Sequence, residues 1–142
     1  MKYKFILIPV ITLIITQILK FAIETIKTKK MDFSRLLNGN GGMPSSHTAF
    51  TTSLSFAVGI DSGFDSALFA ISLVFSIIVA YDAMGLRMES GKQAVQINLL
   101  MKSSHIDGTT PLKEMLGHKP LEVLAGFIFG VASAFIQMSI FS

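Results

Sequence analysis

Cysteine and tryptophan are absent from the 142 residues, proline occurs four times and tyrosine twice, and only 15% of positions are charged. Without cysteine there can be no disulfide and no thiolate chemistry, and nothing follows about redox compartment. An ordinary soluble domain is roughly 25% charged, so too few polar residues are present here to cover a water-facing surface. The same composition excludes collagen, coiled coils and disordered tails. What is present is apolar: 51% of residues are hydrophobic and the mean hydropathy is +0.61. A spanning helix needs about 20 mostly apolar residues, and several stretches approach that length. The expected fold is all-α, a small polytopic membrane bundle of about four transmembrane helices plus interfacial helices, forming one domain over residues 1–142.

The first apolar run, Phe5 to Leu19, follows Lys2 and Lys4 in the manner of a signal peptide. It continues through Gln17, Lys20, Phe21 and Ala22 into basic sequence without a small-residue cleavage site, so it reads as a retained helix. Lys27 to Asn40 is polar and basic, and the Asn38 to Gly42 run favours turns. A second helix is predicted from Pro44 to about Ile60, capped by serines. Its Thr48, Thr51, Thr52, Ser53 and Ser55 suit packing against helices rather than lipid. A turn at Asp61-Ser62-Gly63 precedes a third span, Phe64 to Tyr81. Ala83 to Lys102 mixes charged and apolar residues, as in a helix leaving the bilayer or lying at its surface. Asp107 to Pro111 predicts a turn into a short helix stopped by Gly117. A last helix is predicted from Pro120 to about Phe141, with Gly126 and Gly130 at the spacing that lets helices approach closely.

The net charge is +3 and the pI about 9.3, but the basic residues flank apolar stretches. Membrane lipids and a phosphorylated ligand are therefore the expected partners, not nucleic acid. Two histidines fall at helix starts on one face, His47 after a glycine-rich approach and His118 before Pro120. Free amides and the positive end of a helix dipole favour phosphate there. Glu122 is four residues beyond His118, within reach to fix its tautomer. A glycine-serine turn is usually only a cap, and a His/Glu pair at this spacing is usually structural. Convergence on one basic membrane face is what raises the chemical reading. Two histidines and a carboxylate could also bind a metal, although the basic neighbours suit an anion better. Asp82 and Arg87 read as a structural pair, Gln93 and Asn98 as helix contacts, and His105 as a solvated loop residue.

Three segments, Gly41 to His47, Tyr81 to Arg87 with Gly91 to Ala94, and Leu116 to Gly126, resemble the divergent branch of the type 2 phosphatidic acid phosphatase family. That superfamily includes membrane lipid phosphatases and vanadium haloperoxidases, and the resemblance covers nearly the whole chain. It implies that His118 attacks phosphorus, Glu122 orients it and His47 acts as general acid, through a phosphohistidine that water hydrolyses, with no cofactor and no metal. Ser45 and Ser46 would contact phosphate, matching a block in which glycine stands at the second position. Where the superfamily has an arginine six residues before the nucleophile, this chain has Leu112, and the first lysine and Arg-Pro block has no clear counterpart. Lys20, Arg87, Lys92 and Lys113 are the candidate replacement cations. The implied activity is hydrolysis of a lipid phosphate or pyrophosphate. The alternative is a non-catalytic protein that uses the fold to bind an anionic headgroup or a partner. A transporter would need two halves, which a homodimer, and hence a homo-oligomer, could supply.

Ten of the twelve Lys and Arg residues fall on the candidate-site face in a four-span topology, leaving Lys2 and Lys4 opposite. By the positive-inside rule this predicts an integral protein of the cell membrane with a cytoplasmic site and both termini outside. A fluorescent protein fused after Ser142 should then stay dark and the C-terminal tag should be cut by protease added to intact cells. A protected, fluorescent fusion would invert the orientation.

Overall fold

A computed structural model describes residues 3–29, 42–104 and 109–141, and these form five helices with no strand among them. They are α1 (Lys4–Thr28), α2 (Ser46–Ser62), α3 (Ala67–Met84), α4 (Leu86–Ser103) and α5 (Pro120–Phe141). Three helical stretches, Lys4–Thr28, Ala67–Ser103 and Pro120–Phe141, are long and apolar enough to cross a membrane. Gly85 divides the middle one into α3, which is strongly apolar, and α4, which is not. Helix α2 has 17 residues, about 25 Å of helix and the lower limit for a span.

The least apolar of the bundle helices is the central one: α2 packs against α1, α3 and α5, while α4 touches only α3 among the helices. In a bilayer every polar group must be satisfied internally, and the hydroxyls of α2 meet that demand. Thr51 and Thr52 each meet the Ser76 hydroxyl of α3 at 3.1 Å, and Ser55 donates to the Ser72 carbonyl at 2.8 Å. A second cluster joins α1 to α5, where Gln137 donates to Thr12 (2.9 Å) and Ser133 (2.7 Å). Lys4 and Asp61 form an ion pair at the end opposite His118. Phe56 gathers the rings of Phe64, Phe69, Phe127 and Phe135 at 5.9–6.5 Å between centroids.

Three expectations are corrected. Helix α2 starts at Ser46, with Ser45 as its N-cap, two residues after the predicted start at Pro44. The short helix predicted before Gly117 is absent: residues 109–119 run without helix back along α4. Too short to sustain helix nucleation alone, this strap instead bonds its backbone to Asn98, which donates to the Leu112 carbonyl and accepts from the Leu112 amide, both at 2.8 Å. Asn98 thus serves the strap rather than a helix–helix contact. His105 and Asp107 lie outside the described residues.

Close approach of α2 and α5 depends on two glycines. A Cβ on Gly126 would stand 2.5 Å from the Ser45 carbonyl oxygen, and one on Gly130 would stand 2.7 Å from that of Ala49. Backbone atoms cannot swing aside. Gly126→Ala and Gly130→Ala should each lower stability by about 1–3 kcal/mol, despite the gain of roughly 1 kcal/mol that alanine brings to a helix. Thermal unfolding in detergent would measure this, and an unchanged or raised midpoint in either variant would contradict the packing described.

Candidate functional site

Glu122 stands in the first turn of α5, where free helix amides favour a carboxylate. Its Oε2 accepts from the Lys119 amide at 3.2 Å and the Gly42 amide at 3.4 Å, and meets His118 Nδ1 at 3.0 Å. A carboxylate already accepting two N–H bonds accepts a third from the ring, so Nδ1 carries the hydrogen and donates it while Nε2 keeps its lone pair. The backbone of Glu122 is used as well, since its carbonyl accepts from the Ser45 amide at 2.9 Å and ties α5 to the start of α2.

His118 lies just before α5 and is buried, with its amide donating to the Ala83 carbonyl at the end of α3 at 2.9 Å. The preceding Gly117 has φ +83°, and a Cβ there would stand 2.7 Å from the Met88 amide nitrogen, so only glycine fits between the strap and α4. Burial is the largest influence on the His118 imidazole. With the positive charges of Lys20 and Arg87 it holds the ring below the usual 6.5, although the hydrogen bond and charge of Glu122 pull the other way. The ring is therefore held neutral near pH 7.

His47, in the first turn of α2, is exposed. Arg87, His118, Lys20 and Asp82 all act on it electrostatically, so the two histidines and two of the candidate cations share one neighbourhood. Arg87 is bonded through Nε to Asp82 Oδ2 at 2.9 Å and is half exposed, the ion pair expected from sequence. Lys20 approaches from α1, beside Gly42 and Glu24. The structure gives the other candidates different settings. Ser45 is fully buried and its hydroxyl caps α2, accepting from the Thr48 hydroxyl at 3.0 Å, and Ser46 is also buried. Lys92 pairs with Glu89 at 2.6 Å on the exposed side of α4, and Lys113 is an exposed residue of the strap. Glu24 was overlooked in the sequence, although its place one turn after Lys20 is a readable signal. Among the described residues no three His, Cys, Asp or Glu side chains converge as metal ligands. The group offers an anion two cations, a neutral imidazole and a second histidine.

Helices able to span a bilayer, packed around a hydroxyl-rich member and joined at one end by this paired histidine and carboxylate, define an integral membrane protein of the polytopic helical class. Comparison with known proteins narrows the class. The Divergent PAP2 family matches residues 1–133, and the chain belongs to it. A relative from Bacillus subtilis (strain 168), described as "Uncharacterized membrane protein YuiD", is 39% identical over 133 residues and covers 84% of each chain. No solved structure matches.

The opposing influences on His118 can be separated by imidazole NMR in detergent micelles. Glu122→Gln removes the carboxylate and should lower the His118 pKa further, whereas Lys20→Met removes a positive charge and should raise it. Shifts of the same sign in both variants would contradict the arrangement. Because the folded value lies below the unfolded 6.5, the unfolded chain binds more protons beneath that pH. This contribution to stability is accordingly lost as pH falls from about 6.5 toward the folded value.

Proposed function

We propose that the protein is a metal-independent phosphatase acting on a lipid phosphate or pyrophosphate at the membrane surface. The observation that carries this reading is the 3.0 Å contact between His118 Nδ1 and Glu122, which leaves a neutral, buried imidazole with a nucleophilic Nε2. Nε2 attacks phosphorus, forming an N–P bond as the bond to the leaving oxygen breaks. His47 donates its proton to that oxygen. Water, deprotonated by His47, then displaces His118 and releases phosphate. Arg87 and Lys20 offset charge on the transferred group, the need that positioned cations meet in phosphoryl transfer. The family membership supports a phosphorylated lipid as substrate, and the charge distribution supports the cytoplasmic leaflet of the cell membrane as its place.

A second reading, a headgroup-binding protein without turnover, draws on Leu112: it occupies the position of the superfamily's arginine, and its backbone is tied to Asn98 on the exposed strap. Phosphate release from a panel of lipid phosphates separates the two. Turnover should persist in chelator, and His118→Ala should abolish it, a loss on the order of 10³-fold or more. Arg87→Ala should reduce it by about 10- to 100-fold, as for a lost charge-assisted hydrogen bond. The rate should fall on an acid limb lying below the ordinary histidine range, where His118 becomes protonated despite its burial. Activity retained by His118→Ala refutes the nucleophile, and saturable binding with no release from any substrate establishes the second reading.

A further inference from the structure

Beside the histidine pair a cavity of about 280 Å³ opens between α3 and α5, with Thr48 and Thr52 of α2 among its lining. Its upper end is formed by Met84 and Pro120. Met84 follows Ala83, whose carbonyl holds the His118 amide, and Pro120 lies two residues past His118. The cavity and the candidate site therefore share an edge. Ile77 and Leu124 of its wall are more than half exposed and so border the bilayer, giving the cavity a lateral opening. The Ser76 hydroxyl in the wall is bonded to Thr51 and Thr52, which leaves the lining apolar in effect. Phe127 marks the lower end, packed edge-on against Phe56 at a centroid distance of 5.9 Å. From Pro120 to Phe127 is seven residues, about 10 Å of helix.

Resting on the phosphatase reading, we propose that this cleft seats one hydrocarbon chain of the phosphorylated lipid, directly below the headgroup held at His118 and Arg87. Apolar walls facing lipid have no preference among chains, because hydrocarbon contacts are equivalent inside and outside the cleft. Selectivity comes from the shared edge: a chain that begins there belongs to a headgroup lying against Lys20 and Arg87, which attract an anion. The volume falls just short of the roughly 300–1,000 Å³ of sites for whole small molecules, as suits one chain segment. Thus the ligand is a membrane-resident phosphomonoester or diphosphate, and a free phosphate has no chain to fill the cleft.

The absence of cysteine makes a single-site label straightforward. Ala80→Cys carries a fluorophore inside the cleft, and Ile78→Cys carries it on the lipid-facing side of the same helix at similar depth. Both full-length proteins are reconstituted in phosphatidylcholine vesicles and titrated with dibromostearyl phosphate, or with phosphatidylcholine bearing the same brominated chain. Saturable quenching is expected at residue 80 with the phosphomonoester alone, its half-saturation weakened about tenfold or more by Arg87→Ala. Quenching that rises linearly for both lipids at both positions overturns the proposal. Should the residue 80 variant fail to insert, Leu73→Cys, half-buried in the same wall, gives the cleft readout. Saturable quenching without phosphate release would keep the cleft and remove the phosphatase, and release with only linear quenching would do the reverse.

Discussion

Glu122 is the joint on which the polar end of the bundle is assembled. Its carboxylate binds the ring of His118 and the amides of Lys119 and Gly42, and its carbonyl binds the amide of Ser45. Four bonds from one residue draw the glycine-rich approach, the start of α2 and the start of α5 together. A carboxylate is uniquely suited to this place, since it accepts at several lone pairs and complements the positive end of α5. An amide there could accept from the same backbone groups, but without the charge that steadies an imidazolium.

The rest of the bundle solves a different problem, that of burying a polar helix in an apolar solvent. Helix α2 carries hydroxyls where soluble proteins carry leucine, and those hydroxyls return bonds to their own helix or cross to α3. Small residues follow from the same constraint, because hydrogen bonds between helices need short interaxial distances. Gly126 and Gly130 bring the backbone of α5 onto Ser45 and Ala49, and this approach seats Glu122 against the α2 N-terminus.

The helical architecture and the His118–Glu122 pair were legible because both are local. Spans announce themselves through apolar runs, and a turn of helix puts a residue and its fourth neighbour side by side. What escaped was settled by partners distant in sequence. The turn at 107–111 was read as leading into helix, yet Asn98 claims the Leu112 backbone from fourteen residues away. Ser45 reads equally well as a ligand for phosphate or as a helix cap, and its complete burial and the Thr48 bonds place it in the cap. Glu24 and Lys20 share a helix face, but only the fold brings Gly42 to them.

The strap and α4 leave the bundle and return to it at nearly the same place, between Ala83 and His118. Their mutual contacts nearest the bundle, at Met88 and Gly117, hold the histidine, whereas Asn98 and Leu112 bind farther out. The two clasps share no residue, so whatever is added or trimmed beyond the second leaves the contacts of the first in place. Evolution can therefore vary the outer part of this arm in length and charge, fitting it to new neighbours, while the histidine at its root keeps the same seat.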